Sequence, residues 1–139
     1  MFLSPRPCRS LQALVPGNTL LLVASCGFHS YPVLFPSNNI ECIGRNNKGQ
    51  LGTGDYLNKS SLTPTATLQN ASSISAGFGH TCFIDIADGY NCFGLNEEYQ
   101  LGVASNNINS HTPFVTSLES NISSLKLGSN FACYIESTI

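Results

Sequence analysis

The chain lacks tryptophan, has one methionine and is poor in charge. Charged residues make up 10% of its 139 residues, against about 25% in an ordinary globular chain. This scarcity disfavours helices built on Glu, Lys and Arg. With 42% hydrophobic residues, the chain is too apolar to be disordered. The composition therefore favours an all-β fold of short strands joined by polar turns.

A basic stripe is also lacking. The net charge is −2, and the basic residues are scattered along the chain: Arg6, Arg9, Arg45, Lys48, Lys59 and Lys126. A nucleic-acid partner for this segment is not expected, because a phosphate backbone requires clustered cations. No apolar run approaches the roughly 20 residues of a transmembrane helix, so none is predicted.

Motifs that carry catalysis or bind a metal are missing as well. There is no Ser-His-Asp elbow, no phosphate-cradling loop and no C-x-x-C pair. The histidines fit structural roles, with hydrogen bonding expected for His29 and His80 at repeat positions and a loop position for His111. We therefore predict no enzyme, no cofactor and no metal site.

An internal repeat is the strongest signal in the sequence. The segment 42–52, CIGRNNKGQLG, recurs at 92–102 as CFGLNEEYQLG, at an offset of 50. Further pairs are Thr63-Pro64 with Thr112-Pro113, and the segment 74–82 with 125–133. Repeats of this length that hold several short strands are typical of propeller blades.

Each repeat predicts four strands and a tight loop. A proline opens one strand, the segment from Thr81 to Ile86 is apolar enough for burial on both faces, and Asp88-Gly89 predicts a hairpin turn. In the loop that follows, Gly49 and Gly52 permit positive φ or close backbone approach. Leu51 is the expected buried anchor.

These residues resemble the repeats of the regulator of chromosome condensation family, a seven-bladed β-propeller family, over roughly residues 20 to 135. The matching positions are Gly44, Asn46, Gly49, Gln50, Leu51, Gly52, Gly77, His80, Asp88, Gly89, Gly94, Asn96, Gln100, Leu101 and Gly102. The resemblance implies a partial β-propeller, with two to two and a half four-stranded blades of a nominally seven-bladed ring.

This chain departs from the family pattern at several positions. Ile43 and Phe93 stand where tryptophan is usual, Tyr99 stands where glycine is usual, and Phe131 replaces a histidine. Looser blades are therefore expected. Since a propeller gains stability by closing its ring, so few repeats indicate a fragment, a truncated gene product, or a chain that assembles with something else.

We assign residues 19–139 to the repeats and residues 1–18 to an N-terminal segment that is either disordered or signal-like. The stretch from Thr19 to Ala24 is apolar, and Ala24-Ser25 before Cys26 would suit signal cleavage. Pro16-Gly17-Asn18 interrupts the apolar run, which favours a buried strand from Thr19 instead.

Cys82 and Cys92 are the disulfide candidates, because they flank one predicted hairpin. With a three-residue loop at 87–89, Ile84 pairs with Cys92, and Cys82 lies diagonal to it at roughly 7–8 Å. A bridge then requires a bulge. The family resemblance adds that secreted-looking members carry cysteines at these positions, which slightly favours a secreted or extracellular protein over a nuclear or cytoplasmic one.

Three N-glycosylation sequons begin at Asn58, Asn70 and Asn121. The chain is so rich in asparagine, serine and threonine that chance alone accounts for them. They remain candidates of little weight.

Function is expected to reside on a surface. The resemblance implies a non-catalytic protein-interaction or scaffolding module with a protein partner. One alternative is a guanine-nucleotide exchange factor for a small GTPase such as Ran. Another is a truncated product without independent function.

Overall fold

A computed structural model of the chain describes residues 9–15, 19–26, 29–34, 39–66, 71–87, 89–102, 107–115 and 121–137. Within these ranges the chain is all-β, and none of their residues is helical. The strands are β1 (Arg9–Val15), β2 (Thr19–Cys26), β3 (His29–Leu34), β4 (Asn39–Gly44), β5 (Lys59–Pro64), β6 (Ala71–Ala76), β7 (His80–Asp85), β8 (Tyr90–Gly94), β9 (Ser110–Val115), β10 (Ile122–Leu127) and β11 (Ala132–Glu136).

The strands form three antiparallel sheets, each in chain order. The first sheet is β1-β2-β3-β4-β5, the second is β6-β7-β8-β9 and the third is β10-β11. The offset of about 50 residues aligns β2–β5 with β6–β9, and β10–β11 with β6–β7. The predicted all-β architecture with four-stranded repeating units is confirmed, and the third unit is represented by two strands.

The N-terminal part of the first sheet adds a strand to the repeat pattern. β1 pairs along its whole length with β2, from Arg9 opposite Ser25 to Val15 opposite Thr19. The apolar stretch from Thr19 is therefore a strand, as its turn-flanked sequence favoured. The domain boundary at residue 18 remains a prediction, and β1 lies on its N-terminal side.

The sheets pack face to face through two seams. β6 contacts both β2 and β10, so the first strand of each unit lies beside the first strand of the next. The first seam buries Ile40, Cys42, Leu51, Ala71, Ile74, Ala76, Phe83 and Phe93. The second seam buries Cys82, Ile84, Tyr90, Cys92, Leu101, Ile122, Leu125 and Leu127, with Ala132 packed against them.

The second sheet supplies one face to each seam because side chains alternate along a strand. Phe83 faces the first seam, whereas Cys82 and Ile84 face the second. Leu51 and Leu101, the anchors expected from the two loops, are fully buried, one in each seam. No helix among the described residues is long and apolar enough to cross a membrane.

The hairpin between β7 and β8 has a different register from the predicted one. Ile84 lies opposite Tyr90, and Cys82 lies directly opposite Cys92, so the loop spans residues 85–89. The Asp85 Oδ1 atom accepts hydrogen bonds from the backbone N–H groups of Ala87 (2.9 Å) and Gly89 (2.8 Å). Because this carboxylate organises the turn, the strands separate two residues earlier than expected.

Candidate functional site

The loop after β4 is organised around the buried side chain of Asn46. Its Oδ1 atom accepts a hydrogen bond from the Leu51 backbone N–H at 2.9 Å. Its Nδ2 atom donates to the Asp55 backbone carbonyl at 2.8 Å and to the Thr53 hydroxyl at 3.1 Å. Since Asn46 has no solvent exposure, these bonds hold the loop closed over the first seam.

Gln50 tightens the same loop and links it to the second sheet. Its Oε1 atom accepts a hydrogen bond from the Lys48 backbone N–H at 2.8 Å. The Gln50 backbone carbonyl accepts one from the Thr81 hydroxyl at 3.0 Å. Gly49 and Gly52 adopt φ of 79° and 63°, which confirms the expected positive φ at both glycines.

The loop after β8 repeats this hydrogen-bonding frame. Asn96 Oδ1 accepts from the Leu101 N–H at 3.0 Å, and Gln100 Oε1 accepts from the Glu98 N–H at 2.9 Å. Tyr99, in the position of Gly49, takes φ of 58°, which is unusual for a bulky residue. Because the same hydrogen bonds occur in both loops, these motif residues determine the loop conformation.

The outward side chains of the two loops differ in charge. We call these six residues the loop face: Arg45, Asn47 and Lys48 from the first loop, and Leu95, Glu97 and Glu98 from the second. Lys48 Nζ lies 2.6 Å from Glu97 Oε1 in an exposed salt bridge that joins the loops. One end of the loop face is basic and the other is acidic.

A shallow cleft opens at each seam beside these loops. The first, of about 90 Å³, is lined by Arg45, Asn47, Lys48, Gln50, Phe78, Gly79 and Leu95. The second, of about 210 Å³, is lined by Tyr90, Glu98, Tyr99, Gln100, Gly102, Asn130, Phe131, Ala132 and Tyr134. Within the described ranges, no three metal-ligating side chains are grouped together.

His80 packs at the second seam without the hydrogen bond expected of it. Its ring lies against Gly77, and neither ring nitrogen has a hydrogen-bond partner. Burial lowers the pKa of His80 to about 4, opposed weakly by the Phe131 backbone, which is near the ring but outside hydrogen-bonding geometry. Phe131 packs in the same way against Gly128, so both units place an aromatic ring against a glycine at this position.

Glycines at the motif positions allow close backbone approach. A Cβ on Gly49 would stand 2.5 Å from the Ser110 carbonyl oxygen in β9. A Cβ on Gly94 would stand 2.7 Å from His80 Cα, and Gly94 has φ of 109°. Gly44, with φ of 120°, repeats that conformation at the end of β4.

Cys82 and Cys92 form a disulfide that joins β7 to β8, with 4.1 Å between their Cα atoms. The predicted diagonal placement was wrong, because the longer hairpin loop sets the two residues directly opposite each other. No bulge is needed. The hydroxyl of Tyr90 donates a hydrogen bond to Cys82 Sγ at 3.2 Å.

The remaining candidates from the sequence are the residues of the hairpin turn and the asparagines of the three sequons. Asp88 and Asn70 lie outside the described residues. Gly89 accepts a backbone hydrogen bond from Asp85 through its carbonyl oxygen. Asn58 is exposed but uses its Oδ1 atom to accept from the Asn46 N–H at 2.8 Å, and Asn121 is exposed with φ of 100°.

Sequence reasoning missed two residues that complete the loops. Asn109 Oδ1 accepts from the Asn96 N–H at 2.9 Å, as Asn58 does from Asn46. Asn58 and Asn109 are 51 residues apart, which is close to the repeat length, and this offset was the sequence signal that could have identified them. Asp55 was also missed: its hydrogen bond to the Lys59 ammonium, 2.6 Å long, lowers the pKa of the Asp55 carboxyl to about 2.

Part of the chain matches a known repeat family. Residues 42–84 match the family model of the regulator of chromosome condensation (RCC1) repeat. The E3 ubiquitin-protein ligase MYCBP2 of Danio rerio is 34% identical over 79 residues, which are 56% of this chain and 2% of that protein.

Solved structures with the same fold include two of a yeast protein. Yeast RCC1 (Prp20) bound to Kap60 aligns with a TM-score of 0.68 and 15% identity, over 91% of this chain and 40% of that one. Prp20p from Saccharomyces cerevisiae aligns with a TM-score of 0.66 and 15% identity, over 91% of this chain and 42% of that one. Human WBSCR16 aligns with a TM-score of 0.76 and 17% identity, over 88% of this chain and 31% of that one. The fold is that of a partial propeller, and the chain spans less than half of each of these proteins.

Proposed function

We propose that this chain, which carries repeats of the regulator of chromosome condensation family, is a non-catalytic protein-interaction module that binds its partner through the loop face. One observation carries the proposal: the two loops share a hydrogen-bonded frame but expose different side chains. Leu51 and Leu101 are pinned by the same asparagine bond. A rigid frame with variable outward residues suits recognition.

The charges of the loop face define the partner that it suits. Arg45 is exposed at the basic end, and Glu97 and Glu98 are exposed at the acidic end. The Lys48–Glu97 salt bridge lies between them, with side-chain exposures of 38% and 56%. A protein surface with one acidic and one basic patch would be complementary, since rim charges orient an encounter and set its salt dependence.

A second candidate is nucleotide exchange on a small GTPase. It is supported by the likeness to Prp20p, a structure described together with its binding to Gsp1p and histones. That likeness supports a protein partner for this chain and gives no reason to prefer exchange over binding. Gsp1p and histones are therefore suitable probes for both readings.

The test measures binding and exchange separately. Binding of purified Gsp1p and of histones is measured by interferometry at two salt concentrations, and exchange by release of a fluorescent nucleotide from Gsp1p. We expect binding of at least one probe, no faster nucleotide release, and a loss of about tenfold or more in affinity on charge reversal of the loop face. The reversed variants are Arg45→Glu with Lys48→Glu, and Glu97→Lys with Glu98→Lys.

Lys126→Glu, at an exposed position on β10, is the matched control for charge reversal away from the loop face. Faster nucleotide release would favour the exchange candidate. Binding that is unchanged in both loop variants, or lost equally in the Lys126 variant, would contradict the loop face as the binding site.

A further inference from the structure

The first cleft lies in the interior of the chain, between the first and second sheets. Its walls are the loop after β4, the turn between β6 and β7, and Leu95 just after β8. The third sheet packs against the other face of the second sheet, and none of the residues that line the first cleft belongs to it. The first cleft is therefore a property of two consecutive units.

The apolar part of the first cleft consists of Phe78 and Leu95. Phe78 is 43% exposed although it is a large aromatic residue, and Leu95 is half-buried. Gly79 lies between them in the lining, and a Cβ on it would stand 3.2 Å from Leu95 Cβ. Since glycine has no side chain, Leu95 approaches the backbone of the turn and both apolar groups line one cleft.

Hydrogen bonds hold the walls of the first cleft in place. The Leu95 N–H donates to the Gly79 carbonyl at 2.7 Å, which fixes Leu95 against the turn. The Thr81 hydroxyl donates to the Gln50 carbonyl at 3.0 Å, which ties the loop after β4 to the second sheet. A ligand that enters this cleft does not have to order a loop, and its binding costs less entropy for that reason.

The rim of the first cleft is cationic. Arg45 is exposed, and its Nε atom donates to Asn47 Oδ1 at 2.8 Å, which restrains the guanidinium group. Lys48 also lines the cleft, with its Nζ atom 2.6 Å from Glu97 Oε1. An arginine has five N–H donors in a geometry that matches a carboxylate, so this rim favours an anionic group.

The repeat equivalents show which of these side chains are particular to the first cleft. The alignment of 42–52 with 92–102 and of 74–82 with 125–133 pairs Arg45 with Leu95, Lys48 with Glu98, and Phe78 with Ser129. Each of the three is thus replaced by a residue of different chemistry in the next unit. The residues that line the second cleft include no cation.

The volume of the first cleft, about 90 Å³, limits the group that it can hold. An apolar cavity of about 150 Å³ accommodates a benzene ring, so the first cleft suits one aliphatic side chain better than an aromatic one. Contact with Phe78 and Leu95 removes the apolar surface of that side chain from water. A carboxylate on a neighbouring residue of the ligand meets Arg45 and Lys48 at the rim.

We propose that the first cleft is the anchor site of the loop face, and that it binds a leucine, isoleucine or valine flanked by carboxylates in a segment of a partner protein. The aliphatic group packs on Phe78 and Leu95, and the carboxylates pair with Arg45 and Lys48. This proposal rests on the proposed function, because both cations belong to the loop face. It adds the apolar group that supplies affinity, since rim charges chiefly orient an encounter.

Three short peptides separate the anchor from the charges. The first is acetyl-GDLEG-amide. The second, acetyl-GDAEG-amide, keeps the charges and shortens the anchor, and the third, acetyl-GNLQG-amide, keeps the anchor and removes the charges. Each peptide is titrated into the isotope-labelled full chain, and the dissociation constant is read from the backbone N–H signals of Phe78, Gly79 and Leu95 in nuclear magnetic resonance spectra.

We expect GDLEG to bind at least about fivefold more tightly than GDAEG at low and at high ionic strength, because that difference is apolar. Its advantage over GNLQG should shrink as salt is added, because exposed charges are screened. Phe78→Ser, which introduces the residue of the equivalent position, should lower the affinity for GDLEG about fivefold. Phe78→Leu, which keeps an apolar surface, should retain the affinity within about twofold.

Tyr99→Gly is the matched control for the loss of an exposed ring, since Tyr99 lines the second cleft and lies outside the loop face. This variant should bind GDLEG as the wild-type chain does. Arg45→Leu with Lys48→Gln should reduce the affinity for GDLEG to that for GNLQG.

Equal affinity for GDLEG and GDAEG, or no shift of the three signals up to about 10 mM peptide, would overturn the anchor site. If the charge reversals of the loop face still weaken the binding of Gsp1p or histones, the proposed function stands without it. Unchanged binding of peptides and protein probes in the charge variants would overturn both. Self-association that is lost with Phe78→Ser would identify a second copy of the chain as the occupant and contradict a partner segment.

Discussion

Gly49 of the first loop lies directly against His111 of the second sheet, and a Cβ on this glycine would stand 2.7 Å from His111 Cα. The contact is reinforced by a 2.9 Å hydrogen bond from the Gly54 N–H to the His111 carbonyl and by an edge-on contact between the Tyr56 and His111 rings. The loop is thus clamped onto β9, and the absence of a side chain at residue 49 makes this possible.

Gly49→Ala should therefore lower the free energy of unfolding by about 2 kcal/mol or more, because it adds a steric clash to the cost of positive φ. Tyr99→Gly is the matched change in the second loop, where Tyr99 has φ of 58° and is largely exposed. It should be neutral or stabilising by up to about 1 kcal/mol. Urea denaturation measures both, and equal destabilisation by the two changes would refute the proposed clamp.

Asn46→Ala should destabilise the chain by about 2–3 kcal/mol. The change leaves the buried Leu51 N–H without its acceptor and removes the bond to the Asp55 carbonyl. The neighbouring Asn47 is exposed and accepts a bond from Arg45, so Asn47→Ala should change stability by less than about 0.5 kcal/mol. A similar loss for both variants in thermal unfolding would show that the Asn46 network is not what holds the loop.

The sequence predicted the repeated units because their signal is local. The turn glycines and the leucine anchors occupy fixed offsets in the repeat, and the positive φ of Gly49 and Gly52 is a requirement of their own loop. The hairpin register and the hydrogen bonds between residues far apart in the sequence were harder to predict. Asp85 competes with Asp88-Gly89 for control of the hairpin, and the sequence alone does not show which carboxylate organises the turn. The hydrogen bonds of Asn58 and Asn109 cross 12 and 13 residues, beyond the reach of turn patterns.

The cysteines of the described residues should differ sharply in reactivity. Burial, with a smaller contribution from Glu41, raises the pKa of the Cys42 thiol well above its usual value, whereas Cys133 is exposed. Iodoacetamide should label Cys133 in the folded protein and Cys42 only in denaturant. Cys82 and Cys92 should be labelled only after reduction.

Removal of the Cys82–Cys92 bridge should cost about 2–3 kcal/mol for a loop with a sequence separation of 10 residues. The double variant Cys82→Ser with Cys92→Ser measures this cost, and Cys133→Ser is the control, for which little change is expected. Labelling of Cys82 or Cys92 in native protein without reductant would show that the bridge is absent and would weaken the expectation of an oxidising compartment.

His80 should make the protein sensitive to mild acid. Its folded-state pKa of about 4 lies below the usual 6.5, so between these values the unfolded chain binds a proton that the folded chain does not. Stability should therefore be constant above about pH 6.5, fall as the pH decreases towards 4, and level off below that for this group. The loss of stability is at most about 3.5 kcal/mol, at about 1.4 kcal/mol per pKa unit.

The chain itself supplies the matched variant, since Phe131 occupies the repeat position of His80. His80→Phe should keep the ring packed on Gly77 and remove the difference in stability between pH 6.5 and 4. Asp55, with a pKa of about 2, contributes below this window and acts equally in both proteins. Urea midpoints measured at intervals of half a pH unit give the comparison. Only the wild-type chain can protonate His80 when it unfolds, so its stability should fall more steeply with acid than that of His80→Phe. Parallel pH profiles of stability for the two chains would therefore show that His80 is not the acid-sensitive group.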